Sequence, residues 1–260
     1  MEKHGTCVIT GATSGIGAAF AERYAGMGYH LMLVGRRAEP LRDRAAGLAA
    51  RHAVRAEPVV CDLSEPAELA RLEASLSALP EIEVLVNNAG FGLARPYLSE
   101  DVDASSRMVD VHCRAALRLT HAVVPEMKRA GTGAIINVAS MAAFIPLSND
   151  PPYSATKAFL VNFSEGLWTS LRASGIRVQA LCPGFTRTEF HARLGIPAER
   201  LRNRGPVRWM SAEKVVDASL RGLARGTVIC VPGFWNKVLV GFERHTPRRI
   251  LYRAVAGRGL

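Results

Sequence analysis

Short apolar runs of strand length alternate with amphipathic stretches of helical length along most of the chain. The strand candidates are Thr6–Thr10, His30–Gly35, Ala56–Cys61, Ile82–Asn87, Ala134–Ser140, Ile176–Cys182 and Thr227–Val231. Helical patterns fall between them at 15–27, 38–53, 65–78, 100–130, 152–173 and 211–224. Several strands are continuously apolar, as in Val84-Leu85-Val86 and Ile135-Ile136, which suits strands covered on both faces. Alternation of this kind predicts an α/β fold built on a doubly wound, parallel sheet of about seven strands. No repeat, low-complexity tract or linker interrupts it. We expect one main domain over 1–232 and an extension over 233–260. The segment 186–210 breaks the rhythm; it is long, rich in arginine and punctuated by Gly195, Pro197, Gly205 and Pro206. Loops of that length in compact domains usually serve function.

Composition narrows the class. Of 260 residues, 48% are hydrophobic and 22% charged, enough to bury a core and too apolar for a disordered chain. No uncharged apolar stretch reaches the ~18 residues of a membrane-spanning helix, and Met1–Thr10 does not read as a secretory signal. The five cysteines are odd in number and lack CxxC spacing, so they predict reduced thiols in a cytoplasmic protein rather than disulfides or a zinc site. The net charge of +10 is unevenly placed: residues 1–186 cancel, 187–208 contribute +4 and 231–260 contribute +5. A nucleic-acid binder would spread that charge differently and carry a recognition motif; none is present.

The first strand leads into Thr10-Gly11-Ala12-Thr13-Ser14-Gly15-Ile16-Gly17 and then a helix. Glycines at such a turn let the backbone approach a pyrophosphate, and the helix end behind it offers free N–H groups and a positive dipole. The same turn without a ligand is the plainer alternative. Further along stand Asn87-Asn88-Ala89-Gly90 after the fourth strand, Ser140 at the end of the fifth, Tyr153-Ser154-Ala155-Thr156-Lys157, and Pro183-Gly184 with Thr186 and Thr188 after the sixth. In these motifs, and in their order, the chain resembles the short-chain dehydrogenase/reductase family over about residues 5–232. The resemblance implies a Rossmann-type domain that moves hydride between a nicotinamide dinucleotide and a carbonyl or secondary alcohol. It places Gly11, Thr13, Ser14, Gly15, Ile16, Gly17, Pro183, Gly184, Thr186 and Thr188 at the cofactor. Asp62 and Leu63 would flank the adenine, and Asn88, Ala89 and Gly90 would line the adenosine ribose.

The second strand ends Val34-Gly35-Arg36-Arg37, with glycine where NAD-type relatives carry an acid. Two guanidiniums there can pair with a 2′-phosphate, so NADP(H) is expected. Tyr153 and Lys157 are four apart and share a helix face. A phenol titrates near pH ~10, and a neighbouring ammonium together with the positive nicotinamide ring lowers that value, so Tyr153 is expected as a proton donor and acceptor of lowered pKa. The resemblance gives Ser140 the substrate oxygen and Lys157 the nicotinamide ribose. One position departs from the pattern. The family usually has asparagine, holding a water of a proton relay, where this chain has His112. A neutral imidazole can donate and accept, and His112 is either the replacement in that relay or an ordinary helix histidine.

Competing constellations fail: GxSxG, a P-loop lysine motif and HExxH are all missing from the sequence. Phe91, Phe144, Ile145, Leu147 and Phe185 suggest an apolar pocket for a small carbonyl or alcohol substrate. A homodimer or homotetramer is expected through the helix bearing Phe159, Leu160, Phe163, Leu167 and Leu171, as is common in the family; core packing explains the same stripe. The aromatic, cationic tail over 234–260 suits either an anionic membrane surface or packing on the body or a sister subunit. Two other functions stay open here: a dinucleotide-binding sensor without catalysis, motivated by His112, and a membrane-surface reductase of acyl or lipid ketones, motivated by the tail.

Overall fold

The computed structural model describes residues 5–190, 194, 203 and 208–256. Strands β1 (Thr6–Thr10), β2 (His30–Gly35), β3 (Ala56–Val60), β4 (Ile82–Asn87), β5 (Gly133–Val138) and β6 (Ile176–Leu181) alternate with helices α1 (Gly15–Gly26), α2 (Ala38–His52), α3 (Pro66–Ala78), α4 (Val102–Val109), α5 (Ala115–Ala130) and α6 (Pro151–Leu171). Beyond them lie β7 (Thr186–Arg187), β8 (Met210–Ser211), α7 (Ala212–Ala224), β9 (Ile229–Cys230), α8 (Phe234–His245) and α9 (Arg248–Ala256). The main sheet has seven strands in the order β3-β2-β1-β4-β5-β6-β9, and its pairings are parallel.

Strand periodicity explains why the sheet is covered twice. Cys7 and Ile9 of β1 join α1, α2 and α7 in one apolar layer, while Val8 between them joins α3 and α5 in the other. In β4, Val84 and Val86 face the first layer and Leu85 the second. Full burial of each such side chain contributes about 1.5–3 kcal/mol, so a one-residue slip in register would be costly. Strand order reverses between β1 and β4, which opens a crevice at their carboxyl ends where α/β sheets bind ligands.

Three features bear on function. The helix expected over 100–130 is divided by a single π-helical turn, Asp110–Arg114, a local widening that often marks functional positions. The loop expected over 186–210 carries β7, which pairs with β8 at its end; Arg193, Arg200, Arg202 and Arg204 lie outside the described residues. Within the extension expected over 233–260, Val240 of α8 is buried with Leu160, Ala180, Cys182 and Val231. No described helix is long and apolar enough to cross a membrane.

Candidate active site

The turn between β1 and α1 is held from below. Thr10 Oγ1 accepts hydrogen bonds from the N–H groups of Asn88 (2.9 Å) and Ala89 (3.0 Å). The Asn88 amide donates to the carbonyls of Thr10 (2.8 Å) and Gly11 (3.2 Å). Gly11 has φ +67° and lies against Ala89, a conformation that an L side chain adopts only with strain. At Gly17 a Cβ would stand 2.4 Å from both Asn88 Nδ2 and the Gly11 carbonyl. The Asn88 side chain therefore braces the turn from beneath. Ser14 precedes α1 without capping it, and the first turn holds no acid, so the N–H groups there keep their capacity for an anion. Thr188 sits over this turn, with Cγ2 3.0 Å from where a Cβ on Gly15 would stand.

At the end of β2, Arg37 bonds Thr13 Oγ1 (3.0 Å) and Glu189 (3.1 Å), and Arg36 lies 3.4 Å from Asp62. Both guanidiniums remain largely exposed at the mouth of a cleft of about 690 Å³. That cleft runs past Asp62, Leu63, Ala89 and Gly90 to Ser140, Tyr153, Lys157, Pro183, Gly184 and Thr186. A glycine cradle, an open helix end and two exposed guanidiniums fit a phosphorylated dinucleotide.

The reactive end is set by α6. Asp150 Oδ1 caps this helix by accepting from the Tyr153 N–H (3.0 Å), with Pro151 and Pro152 in the first turn, which suits Pro there. Its Oδ2 accepts from the Leu93 N–H (3.3 Å). Ser140 Oγ accepts from the Ala142 N–H (3.1 Å), which leaves its own hydrogen to donate. Lys157 is buried; its ammonium donates to the Val138 carbonyl (2.9 Å) and lies 5.6 Å from the centre of the Tyr153 ring. Burial pulls the Lys157 pKa down to about 8, against a small upward effect of Cys113 and Cys182.

Matches to known proteins agree with this geometry. The short chain dehydrogenase family model matches residues 5–197. The chain belongs to that family. It is 39% identical over 187 residues to sulfoacetaldehyde reductase 2 of Chromohalobacter salexigens, covering 70% of this chain and 73% of that one. A short-chain dehydrogenase of Sphingobium yanoikuyae in complex with NADPH superimposes with a TM-score of 0.83 at 36% identity, over 97% of this chain and 92% of that one. The bulky-bulky ketone specific alcohol dehydrogenase of Comamonas testosteroni gives 0.78 at 31% identity, again over 97% and 92%. This short-chain dehydrogenase is an NADP(H)-dependent oxidoreductase that moves hydride between the nucleotide and a carbonyl or alcohol group.

Two sequence expectations need correction. The protein's own residues do not lower the Tyr153 pKa: burial pushes it up to about 12, with Ser140 opposing the rise and Asp150 adding to it. Lys157 Nζ lies 5.6 Å from the ring centre, and desolvation wins. His112, at the π-helical turn, has both ring nitrogens committed within the protein. The Phe91 N–H donates to Nε2 (3.0 Å), so the proton is on Nδ1 and goes to Thr156 Oγ1 (2.9 Å), whose own hydrogen goes to the Tyr153 carbonyl (2.9 Å). Burial, and then the Lys157 charge, hold His112 neutral. Its ring thus anchors the Phe91 loop to α6 and has no lone pair or proton left over for a relay water.

Of the expected pocket residues, Phe91, Ile145, Leu147 and Phe185 line the cleft, whereas Phe144 packs on a neighbouring apolar cluster beneath Arg244. Sequence reasoning missed Leu239 and Glu243, which line the cleft as well. Neither carries a local motif.

Proposed function

We propose that the chain reduces bulky, largely apolar ketones, with Tyr153 as the proton donor, Ser140 holding the substrate oxygen, and Lys157 supporting both the nucleotide ribose and the phenol. The observation that carries this reading is that Tyr153, Ser140 and Lys157 line one cleft together with the glycine turn. NADPH, when bound, supplies the hydride. The Ser140 hydroxyl, already oriented by Ala142, donates to the carbonyl oxygen. Tyr153 Oη then releases its proton to that oxygen. A phenol with a pKa near 12 is fully protonated at neutral pH, so the resting enzyme is set for reduction. Phe91, Phe185, Phe190 and Leu194 wall the cleft with apolar surface, which excludes water and suits a bulky substrate.

The test is a panel of ketones and aldehydes followed by nucleotide absorbance with NADPH and with NADH. Bulky ketones with NADPH are expected to give the highest kcat/KM; no oxidation of NADPH by any of them would overturn the reading. A pH profile sharpens it, because kcat/KM reports the free enzyme. Lys157 carries its charge below about pH 8 and loses it above. The ammonium favours the negative charge left on the phenol, so reduction is expected to be level towards neutral pH and to fall about tenfold per unit above pH 8. A profile rising through that range would exclude Lys157 from the role.

Two surfaces extend the proposal beyond the catalytic cleft. The half-buried Phe159 and Phe163 of α6 stack at 5.5 Å, which supports pairing of this helix with a second copy of the chain. Phe234, Trp235, Phe242 and Ile250 on α8 and α9 are exposed beside Lys237, Arg248, Arg249 and Arg253, a combination that supports peripheral contact with an anionic membrane from a reducing, cytoplasmic compartment. Sedimentation separates the two. Phe163→Glu is expected to yield monomers, and Phe234→Ser with Trp235→Ser to lose binding to phosphatidylserine vesicles at low salt. An unchanged mass or unchanged vesicle binding would remove the corresponding surface.

A further inference from the structure

Helix α8 brings a carboxyl group to the substrate end of the cleft, and nothing in the catalytic assignment uses it. The helix is fixed on both sides. Val240 is buried against Leu160, Ala180 and Cys182, and the Asn236 amide donates to the Pro232 carbonyl (2.7 Å) beneath Gly184. Leu239 and Glu243, one turn apart on the same face, both line the cleft, whose wall also includes Met141, Ala142 and Phe185. Glu243 Oε2 is buried, and no described residue gives it a hydrogen bond. The adjacent Arg244 does not serve it, since its guanidinium lies over the Phe144 ring, 5.7 Å from the centre.

Buried polar atoms in folded proteins nearly always have a partner, and an orphan at the wall of a ligand cleft is placed to take one from a bound ligand. Burial raises the Glu243 carboxyl to about 7, so both its neutral and charged forms are present at neutral pH.

We propose that Glu243 selects the substrate, accepting a hydrogen bond from a hydroxyl or ammonium group that the ketone carries on the arm remote from its reacting carbon. The proposal rests on the ketone-reductase reading and names its substrate class: an apolar ketone with one distal hydrogen-bond donor. An anionic arm is disfavoured at the same position by repulsion from the carboxylate.

The experiment uses four ketones of equal length ending in methyl, hydroxyl, ammonium or carboxylate groups, assayed with NADPH on the wild type, Glu243→Gln and Glu243→Leu. The wild type is expected to favour the hydroxyl and ammonium ketones over the methyl ketone by at least tenfold in kcat/KM, with the carboxylate poorest. Glu243→Leu should reverse the order and raise the methyl ketone severalfold. Glu243→Gln should keep the hydroxyl preference and lose that for ammonium. A wild type indifferent to the terminal group overturns the proposal, and this comparison decides even if the leucine variant does not fold. A preference that survives in Glu243→Leu also overturns it. Wild type that reduces none of the four, nor any ketone of the wider panel, fails at the ketone-reductase reading instead.

Discussion

Tyr153→Phe is expected to lower kcat for ketone reduction by about 10²–10⁴-fold, the usual range for removal of a positioned acid, while NADPH affinity changes less than about threefold. The substitution removes one oxygen and little else. The ring is packed between His112 and Phe190, with centroids 5.9 Å from each, and those contacts remain with phenylalanine. The cap on α6 uses the backbone N–H of residue 153, so the helix start is untouched. What disappears is the only described phenol within the cleft. Ser140 keeps its bond from Ala142 and can still hold a carbonyl oxygen, but holding is not protonation. Single-turnover oxidation of NADPH, beside a fluorescence titration of NADPH binding, separates the two. Loss of binding along with turnover would mean that Tyr153 is chiefly structural, and wild-type turnover would place the proton donor elsewhere.

The second large effect concerns the choice of nucleotide. Joint replacement of Arg36 and Arg37 by leucine is expected to weaken NADPH binding about 10²-fold and NADH binding far less. Charge-assisted hydrogen bonds contribute about 1.5–3 kcal/mol each, and exposure of these side chains places them at the lower end. The two single variants should differ. Arg36 touches Asp62 at the edge of the cleft, so Arg36→Leu should act on NADPH alone. Arg37 also bonds Thr13 within the glycine turn, so Arg37→Leu should weaken both nucleotides, NADPH more. Isothermal titration with each nucleotide measures this. Equal losses for NADPH and NADH in the double variant would show that the pair supports the turn without reading the 2′-phosphate.

The correction at Tyr153 shows what spacing alone leaves open. A tyrosine and a lysine four apart on a helix do share a face, and Lys157 does lie near the ring. Whether the phenol becomes more or less acidic, however, depends on the balance between desolvation and charge. That balance follows from the depth of a cleft built by segments remote from one another in the chain. His112 teaches the same point. Its ring could hold a water, as its chemistry suggested, until the fold brings Phe91 to one nitrogen and Thr156 to the other. Glu243 carries no signal at all in the sequence, being a lone acid in a basic tail far from every motif.

The amino-acid order by itself determined the elements, their alternation and the parallel sheet, because a strand's period and a helix's period are local properties of which side chains avoid water. It also determined the family and the candidate chemistry, since glycines in the turn, two arginines after β2 and the Ser140, Tyr153 and Lys157 set have to be of those types wherever the chain carries them. Tertiary structure decided the protonation state of Tyr153, the occupation of His112 and the arrival of Glu243 at the cleft. These depend on solvent exclusion and on neighbours remote in sequence, quantities that exist only after the sheet has closed and α8 has packed across its edge.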